Sequence, residues 1–566
     1  MSTSSFLWKS SYSPNTPLHL SYPSIPLYGY LEEAAQEYPD NTAISFFQNG
    51  MTYKELVEAC NGFAEGLKEL GVGKGDRIAI MLPNIPQAVI AYYGILFTGA
   101  IVVETNPLYT ERELEHQLND SGSIGIVCLD LLYPKVKKMK KVTSLKWGIV
   151  TGIQDYLPFP KNHLFSLSLY VQRKAVNKKQ WLEQGDYSFR PFLENRKGKI
   201  VREEIDPEKD LALLQYTGGT TGLAKGVMLT HANLVANVQQ CRAWFSESKK
   251  GEEKFLSILP FFHVYGMTVC LNFPVSIAAC MILTPRFQPK QVLKLIHSEK
   301  PTLFPGAPTM YIALLQISKI KKYDLTSIQF CLSGSAPMPV EIIKRFEAIS
   351  GCHIVEGYGL TECSPLANVN PLYGIRKAGS IGIPVSDTLV KVVDMETGEE
   401  APVGELGELY IKGPQVMQGY WRMEEETKAV FQDGWLLTGD IGKMDLEGYF
   451  YIVERKKDII IAGGFNIYPR EVEEVLYEHP AIKEAAIVGV PDPYRGETVK
   501  AFIVLKDNMS TNEQALNEFC RERLASYKVP RKYEFRTELP KTIVGKILRR
   551  VLIDEEKSRE IKENNQ

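Results

Sequence analysis

The sequence predicts an α/β fold: a large N-terminal domain of several subdomains, followed by a small α+β domain. Three observations carry this. With 566 residues the chain has room for roughly three to five units of ordinary domain size. Through most of its length β-rich runs alternate with longer helical segments, as in sheets joined by crossover helices. The pattern changes between Arg455 and Asp458, where the charged run ERKKD meets the apolar IIIAGG. That places the boundary between residues 1–455 and 456–566.

Taken in order, Arg77–Leu82 (RIAIML) reads as a strand and the apolar segment Gln87–Phe97 as a helix. Leu211–Thr217 (LALLQYT) and GVMLT read as strands, with a helix opening after Thr230. Polar, charge-rich loops are expected around Lys178–Lys209 and Ser246–Lys254. In the C-terminal part, EVEEVLYEHP reads as a helix beginning just after Pro469, and AIKEAAIVGV and ETVKAFIVLK as strands. Thr511 with Gln514 predicts a capping box before the helix EQALNEFCRERL. There is no internal repeat and no low-complexity tract.

Composition excludes several classes. Hydrophobic residues at 44% and charged residues at 23% describe a folded chain rather than a disordered one. Lys plus Arg at 65 against Asp plus Glu at 67, a formal charge of −2, lacks the basic footprint of a nucleic-acid binder. Nine scattered cysteines with no CxxC pair suggest neither a disulfide framework nor a zinc site, and point to the reducing cytoplasm. The opening MSTSSFLWKSSYSPN has only Phe6-Leu7-Trp8 as an apolar cluster, too short for a signal peptide. Two charge-free stretches, Ile78–Val103 and Phe255–Pro285, are interrupted by Pro83, Asn84 and Pro86 and by His263, Asn272 and Pro274. A span needs about 20 predominantly apolar residues in succession, so buried core elements are expected there instead.

Five segments carry chemistry. Tyr216–Gly226 reads YTGGTTGLAKG. Its glycines let backbone N–H groups turn inward around an anion, Thr217, Thr220 and Thr221 add hydroxyls, and Lys225 adds a charge. It lacks Walker A spacing and lies between two predicted strands; a flexible surface hairpin would read the same. In VEGYGLTE, Val355–Glu362, a dinucleotide fingerprint begins, but Glu362 stands at the third glycine. Tyr358 there suits stacking on a purine and Glu362 suits Mg²⁺; a buried turn with a satisfied glutamate is the alternative. Asp440, closing GWLLTGD, suits two ribose hydroxyls or an ordinary turn. The fourth segment is ERKKDIIIAGGFNIYP, Glu454–Pro469. The fifth is LPKTIVGKILRR, where Lys546 follows a glycine at an expected helix start; a solvated basic terminus would look alike. No GxSxG elbow and no Cys–His pair at a suggestive spacing offers a protein nucleophile.

All five segments, in this order and spacing, resemble the adenylate-forming superfamily of acyl-CoA synthetases, adenylation domains and firefly-type luciferases. The resemblance runs from near Leu31 to near Leu552. In LPFFHVYG, TLFPGAPTMY, CLSGSAPMP, GPQVMQGYW and FNIYPREVEEVLYEHP the chain is similar to bacterial long-chain fatty-acid–CoA ligases. One departure is Ala224, where many relatives carry proline; it loosens the loop and touches no chemical group.

The resemblance implies an ATP-dependent ligase for fatty-acid activation in lipid metabolism. It would make acyl-AMP with release of pyrophosphate, then transfer the acyl group to coenzyme A. Thr217, Gly218, Gly219, Thr220, Thr221, Gly222 and Lys225 would hold the β- and γ-phosphates. Gly334, Ser335 and Ala336, with Glu356, Gly357 and Tyr358, would form the adenine pocket. Thr361 would contact the α-phosphate, Glu362 with Thr217 would bind Mg²⁺, and Asp440 and Arg455 would bind the ribose. Lys546 would reach the carboxylate and the α-phosphoryl oxygens. His263, with Gly306 and Pro308, would border the acyl site, although His263 alone reads as readily as a core histidine. Gly463 and Gly464 would line the path of the CoA thiol, and Lys457 would be the hinge of a mobile C-terminal domain.

Two other readings stay open: an enzyme that passes the adenylate to a carrier protein or oxygenates it, and a lipid-binding relative with decayed catalysis. No carrier domain after Gln566 and no final SKL disfavour the first, and Lys546, Glu362 and Asp440 disfavour the second. Relatives are commonly dimers. Lys135, Lys137, Lys138, Lys140 and Lys141, followed by the apolar-rich Leu157–Tyr170, suit peripheral contact with the inner face of the cell membrane. A solvated lysine face is the alternative.

Overall fold

The computed structural model describes residues 7–158, 160, 182–194, 196, 202–217, 224–462, 465–492, 494–542 and 547–564. Two compact units emerge. The larger holds Trp8–Leu389 and Ile411–Leu436; the other takes in Val390–Tyr410 and the chain from Leu437 onward.

The larger unit is α/β, as predicted, and contains two sheets. In the nine-stranded sheet, Thr42–Phe46, Cys280–Leu283, Lys254–Ser257, Leu303–Gly306, Phe330–Ser333 and His353–Gly359 run parallel side by side. Antiparallel strands Asn49–Thr52, Leu366–Val369 and Ile383–Pro384 finish its edges. The eight-stranded sheet runs parallel from Leu211–Thr217 through Ile101–Glu104, Arg77–Met81, Gly125–Leu129 and Trp147–Thr151. It closes on the other side with an antiparallel hairpin to Lys225–Thr230. Purely parallel interiors read as continuous apolar runs because helices cover both faces.

Both charge-free stretches are buried core. The helix Pro86–Phe97 starts with proline at its first turn and is buried on every face, as an all-round apolar helix must be. The second stretch folds as the strand Lys254–Ser257, a helical segment with a π-turn at Thr268–Asn272, and the strand Cys280–Leu283. Its buried Asn272 is satisfied by Tyr93 Oη at 2.9 Å and Tyr92 Oη at 3.1 Å. Among the described residues no helix is long and apolar enough to cross a membrane.

The basic cluster is largely engaged within the fold. Lys137 pairs with Glu183 at 3.3 Å, Lys138 with Glu111 at 2.6 Å and Lys140 with Asp186 at 2.7 Å, while Lys135 donates to the Tyr109 carbonyl. Those pairings lower the charge available to an anionic surface. Most of Leu157–Tyr170 lies outside the described residues.

In the other unit, Phe450–Arg455 pairs antiparallel with the strand Trp435–Met444, placing Asp440 opposite Arg455. A second sheet joins Phe465–Ile467, Ile460–Ala462, Gly496–Leu505 and Ile482–Asp492, with Lys532–Arg536 parallel to Gly496–Leu505. The helix Pro469–Glu478 begins at Pro469. One local expectation fails: Asn512, not Thr511, caps the helix Glu513–Arg521, its side chain accepting from Ala515 N–H at 2.9 Å. Asn is at least as good a cap as Thr, and Gln514 instead donates to Glu518 one turn on.

Candidate active site

The glycine-rich segment is the tip of the hairpin between Leu211–Thr217 and Lys225–Thr230, where Thr217 lies opposite Lys225. Gly218, Gly219, Thr220, Thr221 and Gly222 lie outside the described residues. The stem is anchored. Tyr216 Oη donates to Asp120 at 2.5 Å, and His116 Nε2 bonds the Ala224 carbonyl at 3.0 Å. Gly419–Tyr420 pairs with the outer strand of the hairpin, setting Tyr420 opposite Val227.

That pairing places a residue to which sequence reasoning assigned no role. The ring of Tyr420 lies 5.1 Å from Lys225 Nζ, and its hydroxyl donates to Glu362 Oε1 at 2.8 Å. Tyr420 therefore connects the cation of the hairpin to the carboxylate expected at the metal. Burial, then the Glu362 charge, hold its phenol above the ordinary tyrosine range, so it stays a hydrogen donor. Glu362 sits on the turn Thr361–Cys363, and its carbonyl accepts from Met417 N–H at 2.8 Å. At Gly359 a Cβ would lie 1.8 Å from the Pro365 carbonyl oxygen, so only glycine fits before this turn. The neighbouring Cys363 is buried and its thiol is pushed up, first by burial and then by Glu362, which leaves it unreactive.

The expected adenine walls are the ends of two neighbouring strands of the nine-stranded sheet. Ser333 lies opposite Glu356 in register, so Gly334-Ser335-Ala336 leaves one strand beside Glu356-Gly357-Tyr358 on the next. Ser335 adopts a left-handed φ of 72°. Glu356 Oε1 accepts from Met338 N–H at 3.2 Å and Oε2 from Gly379 N–H at 3.1 Å. This carboxylate braces the loop from beneath.

His263 caps the short helix Val264–Met267, its Nδ1 accepting from Tyr265 N–H at 3.3 Å. Gln215 Nε2 donates to the Phe262 carbonyl at 2.8 Å, which ties the His263 segment to the hairpin strand. Tyr265 Oη donates to the Leu332 carbonyl at 2.8 Å and lies 3.3 Å from the Gly306 carbonyl oxygen. Gly306 ends its strand, and Pro308 opens the helix Pro308–Leu315. Pro305 and Leu332, one residue back along each strand, line a small apolar cavity of about 10 Å³ with Phe245, Phe255, Val269 and Phe273.

In the other unit, buried Asp440 accepts from Arg455, Oδ1 to Nε at 3.2 Å, and the Asp440 N–H donates to Thr438 Oγ1 at 3.0 Å. Lys457 is exposed on the single turn Lys456–Asp458. Gly463, Gly464 and Lys546 lie outside the described residues.

Residues 31–421 match the family model described as AMP-binding enzyme, and residues 471–546 match that of the AMP-binding enzyme C-terminal domain. The chain belongs to the AMP-binding enzymes. It is 52% identical over 550 residues to a long-chain-fatty-acid–CoA ligase of Bacillus subtilis, covering 97% of this chain and 98% of that one. It is 42% identical over 557 residues to a protein of the same description from Escherichia coli O6:H1, again covering 97% and 98%. Among solved structures, the anthranilate CoA ligase AuaEII in complex with anthranoyl-AMP matches with a TM-score of 0.83 at 28% identity, covering 96% of this chain and 99% of that one. For an AMP-binding enzyme Glu362 offers a hard carboxylate oxygen held by a neutral donor, chemistry that Mg²⁺ accepts.

Proposed function

We propose that this AMP-binding enzyme activates a long-chain fatty acid as acyl-AMP, with release of pyrophosphate, and transfers the acyl group to coenzyme A. The observation that carries the reading is the Lys225–Tyr420–Glu362 connection at the base of the phosphate hairpin, in a chain similar to fatty-acid–CoA ligases over nearly its whole length.

A carboxylate is a poor acyl donor because oxide would have to leave. Attack of the fatty-acid oxygen on the α-phosphorus of ATP replaces oxide with AMP as the later leaving group. Charge grows on the α-phosphoryl oxygens in that step, and preorganised cations and N–H dipoles in a dry site stabilise it. In this reading Lys225 and the hairpin hold the β- and γ-phosphates, Thr361 contacts the α-phosphate, and Asp440 with Arg455 orients the ribose. Lys546 meets the developing charge as a point charge. Glu362 and Thr217 would hold Mg²⁺, which when bound neutralises charge on the polyphosphate. His263, Gly306 and Pro308 border the acid, whose chain lies toward the aromatic interior.

In the second step the CoA thiol attacks the acyl carbonyl along a path lined by Gly463 and Gly464, and AMP leaves. We place the boundary between the two working domains at residues 455 and 456, with rotation about Lys457 exchanging the groups that serve each step. The test is ATP–pyrophosphate exchange dependent on added fatty acid, followed by a thioester assay over a chain-length series with CoA or a carrier protein as acceptor. Exchange without fatty-acid dependence, or transfer to the carrier protein alone, refutes the reading.

A further inference from the structure

Four charged side chains meet around the start of the helix Arg549–Asn564. The Arg549 guanidinium pairs with Glu473 at 2.7 Å, with Glu454 at 3.1 Å and with Asp458 at 3.5 Å. Glu473 is engaged from two nitrogens, Nη2 and Nε. Glu454 Oε1 also accepts from Arg455 N–H, and its Oε2 from Arg470 N–H at 2.9 Å. Arg470 Nη1 in turn donates to the Ile452 carbonyl at 2.7 Å. The carboxylates are well covered: the side chain of Glu454 is 4% exposed, that of Glu473 11% and that of Asp458 20%.

The placement of these groups in the chain gives the cluster its meaning. Glu454 and Asp458 flank Lys457, and Arg549 follows Lys546 by three residues. Glu454 precedes the hinge while Glu473, Arg470 and Arg549 follow it, so the clasp joins chain on both sides of Lys457. A guanidinium suits this task because its planar fork can grip one carboxylate with two nitrogens and still reach two more. Without it, buried carboxylates of like charge would be left uncompensated.

We propose that Arg549 is a positioning residue for adenylation: it ties the segment carrying Lys546 to the carboxylates beside the hinge. The proposal rests on the roles given above to Lys546 and Lys457. Lys546 and Arg549 are three residues apart in the sequence, and a displacement of 1 Å at a reacting group can cost on the order of 10²-fold.

The experiment uses full-length Arg549→Met and Arg549→Lys, read by single-turnover pyrophosphate release and by thioester formation from supplied acyl-AMP. Arg549→Met is expected to slow pyrophosphate release by about 10- to 100-fold at unchanged KM for ATP, with thioester formation from acyl-AMP retained. Arg549→Lys should fall between, since a point charge cannot bridge three carboxylates. Glu454→Gln, which keeps the shape and leaves the Glu473 pair intact, supplies a milder variant should the methionine form fail to fold; it should show the same bias at smaller size. Equal loss in both half-reactions, or no loss in either, overturns the proposal. Wild-type enzyme that releases no pyrophosphate with any fatty acid would instead overturn the functional reading on which it rests.

Discussion

Tyr420→Phe removes one hydroxyl and keeps the ring, so it isolates the hydrogen bond to Glu362 from the contact with Lys225. The bond is 2.8 Å long and its acceptor is a carboxylate oxygen. Tyr420 is only 9% exposed, so water replaces the lost donor poorly. Hydrogen bonds to charged groups contribute about 1.5–3 kcal/mol, and each 1.4 kcal/mol is a factor of ten. Loss of a group that orients a metal-binding carboxylate costs about 10- to 100-fold in metal affinity or activity, and the two estimates agree. The variant should therefore need about 10- to 100-fold more free Mg²⁺ for half-maximal pyrophosphate release, at saturating ATP and fatty acid. Tyr420→Leu, which also removes the ring, should in addition raise the KM for ATP through the loss at Lys225. A Tyr420→Phe enzyme whose Mg²⁺ titration overlays the wild type would refute the assignment of Glu362 to the metal, or that of Tyr420 to Glu362.

Three further outcomes are expected. Lys546→Ala should lower adenylation by on the order of 10²–10³-fold or more, because it removes a preorganised charge-stabilising group; equal loss of thioester formation from supplied acyl-AMP would count against that role. Lys457→Pro, which fixes φ and removes a backbone donor, should leave single-turnover pyrophosphate release largely intact while acyl-CoA yield drops steeply, and Gly464→Leu should give the same signature by filling the thiol's path. Burial raises the Glu104 carboxyl to about 8, so at neutral pH the folded chain keeps a proton that the unfolded chain has lost. Stability from this group is present below pH 4.5 and falls as pH rises toward 8. Glu104→Gln should thus gain over wild type across that window, by at most about 3 kcal/mol at pH 7 in urea unfolding; a pH-independent difference would refute the assignment.

Strands such as Arg77–Met81 and Leu211–Thr217 were legible because a parallel sheet covered on both faces writes continuous apolar runs. The two hydrophobic stretches were legible as core because prolines and Asn272 break them. The cap at Asn512 was not, since adjacent Thr511 and Asn512 both suit the position and only the backbone decides between them. Glycines and charged residues of the site stood out because their side-chain chemistry, or the lack of a side chain, is unusual in a loop. Tyr420 did not. Its partner Glu362 lies 58 residues earlier, and an isolated aromatic in QGYW has no local pattern separating a hydrogen-bond donor from ordinary packing. Gln215 and Arg549 were silent for the same reason: their partners are brought by the fold, not by spacing.

Groups read as holding the ATP tail and the acid occupy one compact unit, and the ribose pair and hinge occupy the other. Adenylation needs the carboxylate and the α-phosphorus held within a few tenths of an ångström of a productive approach, which loops alone seldom provide. In the larger unit two further side chains contribute to that rigidity. Gln215, two residues before Thr217, bonds the carbonyl of Phe262 beside His263. Tyr265, two residues after His263, bonds the sheet at Leu332. The glycine-rich hairpin and the His263 segment are thereby fastened to each other and to the nine-stranded sheet. In the function proposed above, Lys546, Gly463, Gly464 and Lys457 serve two reactions in succession, which one fixed placement would not satisfy. The ion cluster of Arg549 with Glu454, Asp458 and Glu473 lies beside Lys457 together with the apolar cluster that holds Ile460, Val472 and Leu476, and under the proposed rotation the ion pairs are the contacts open to exchange.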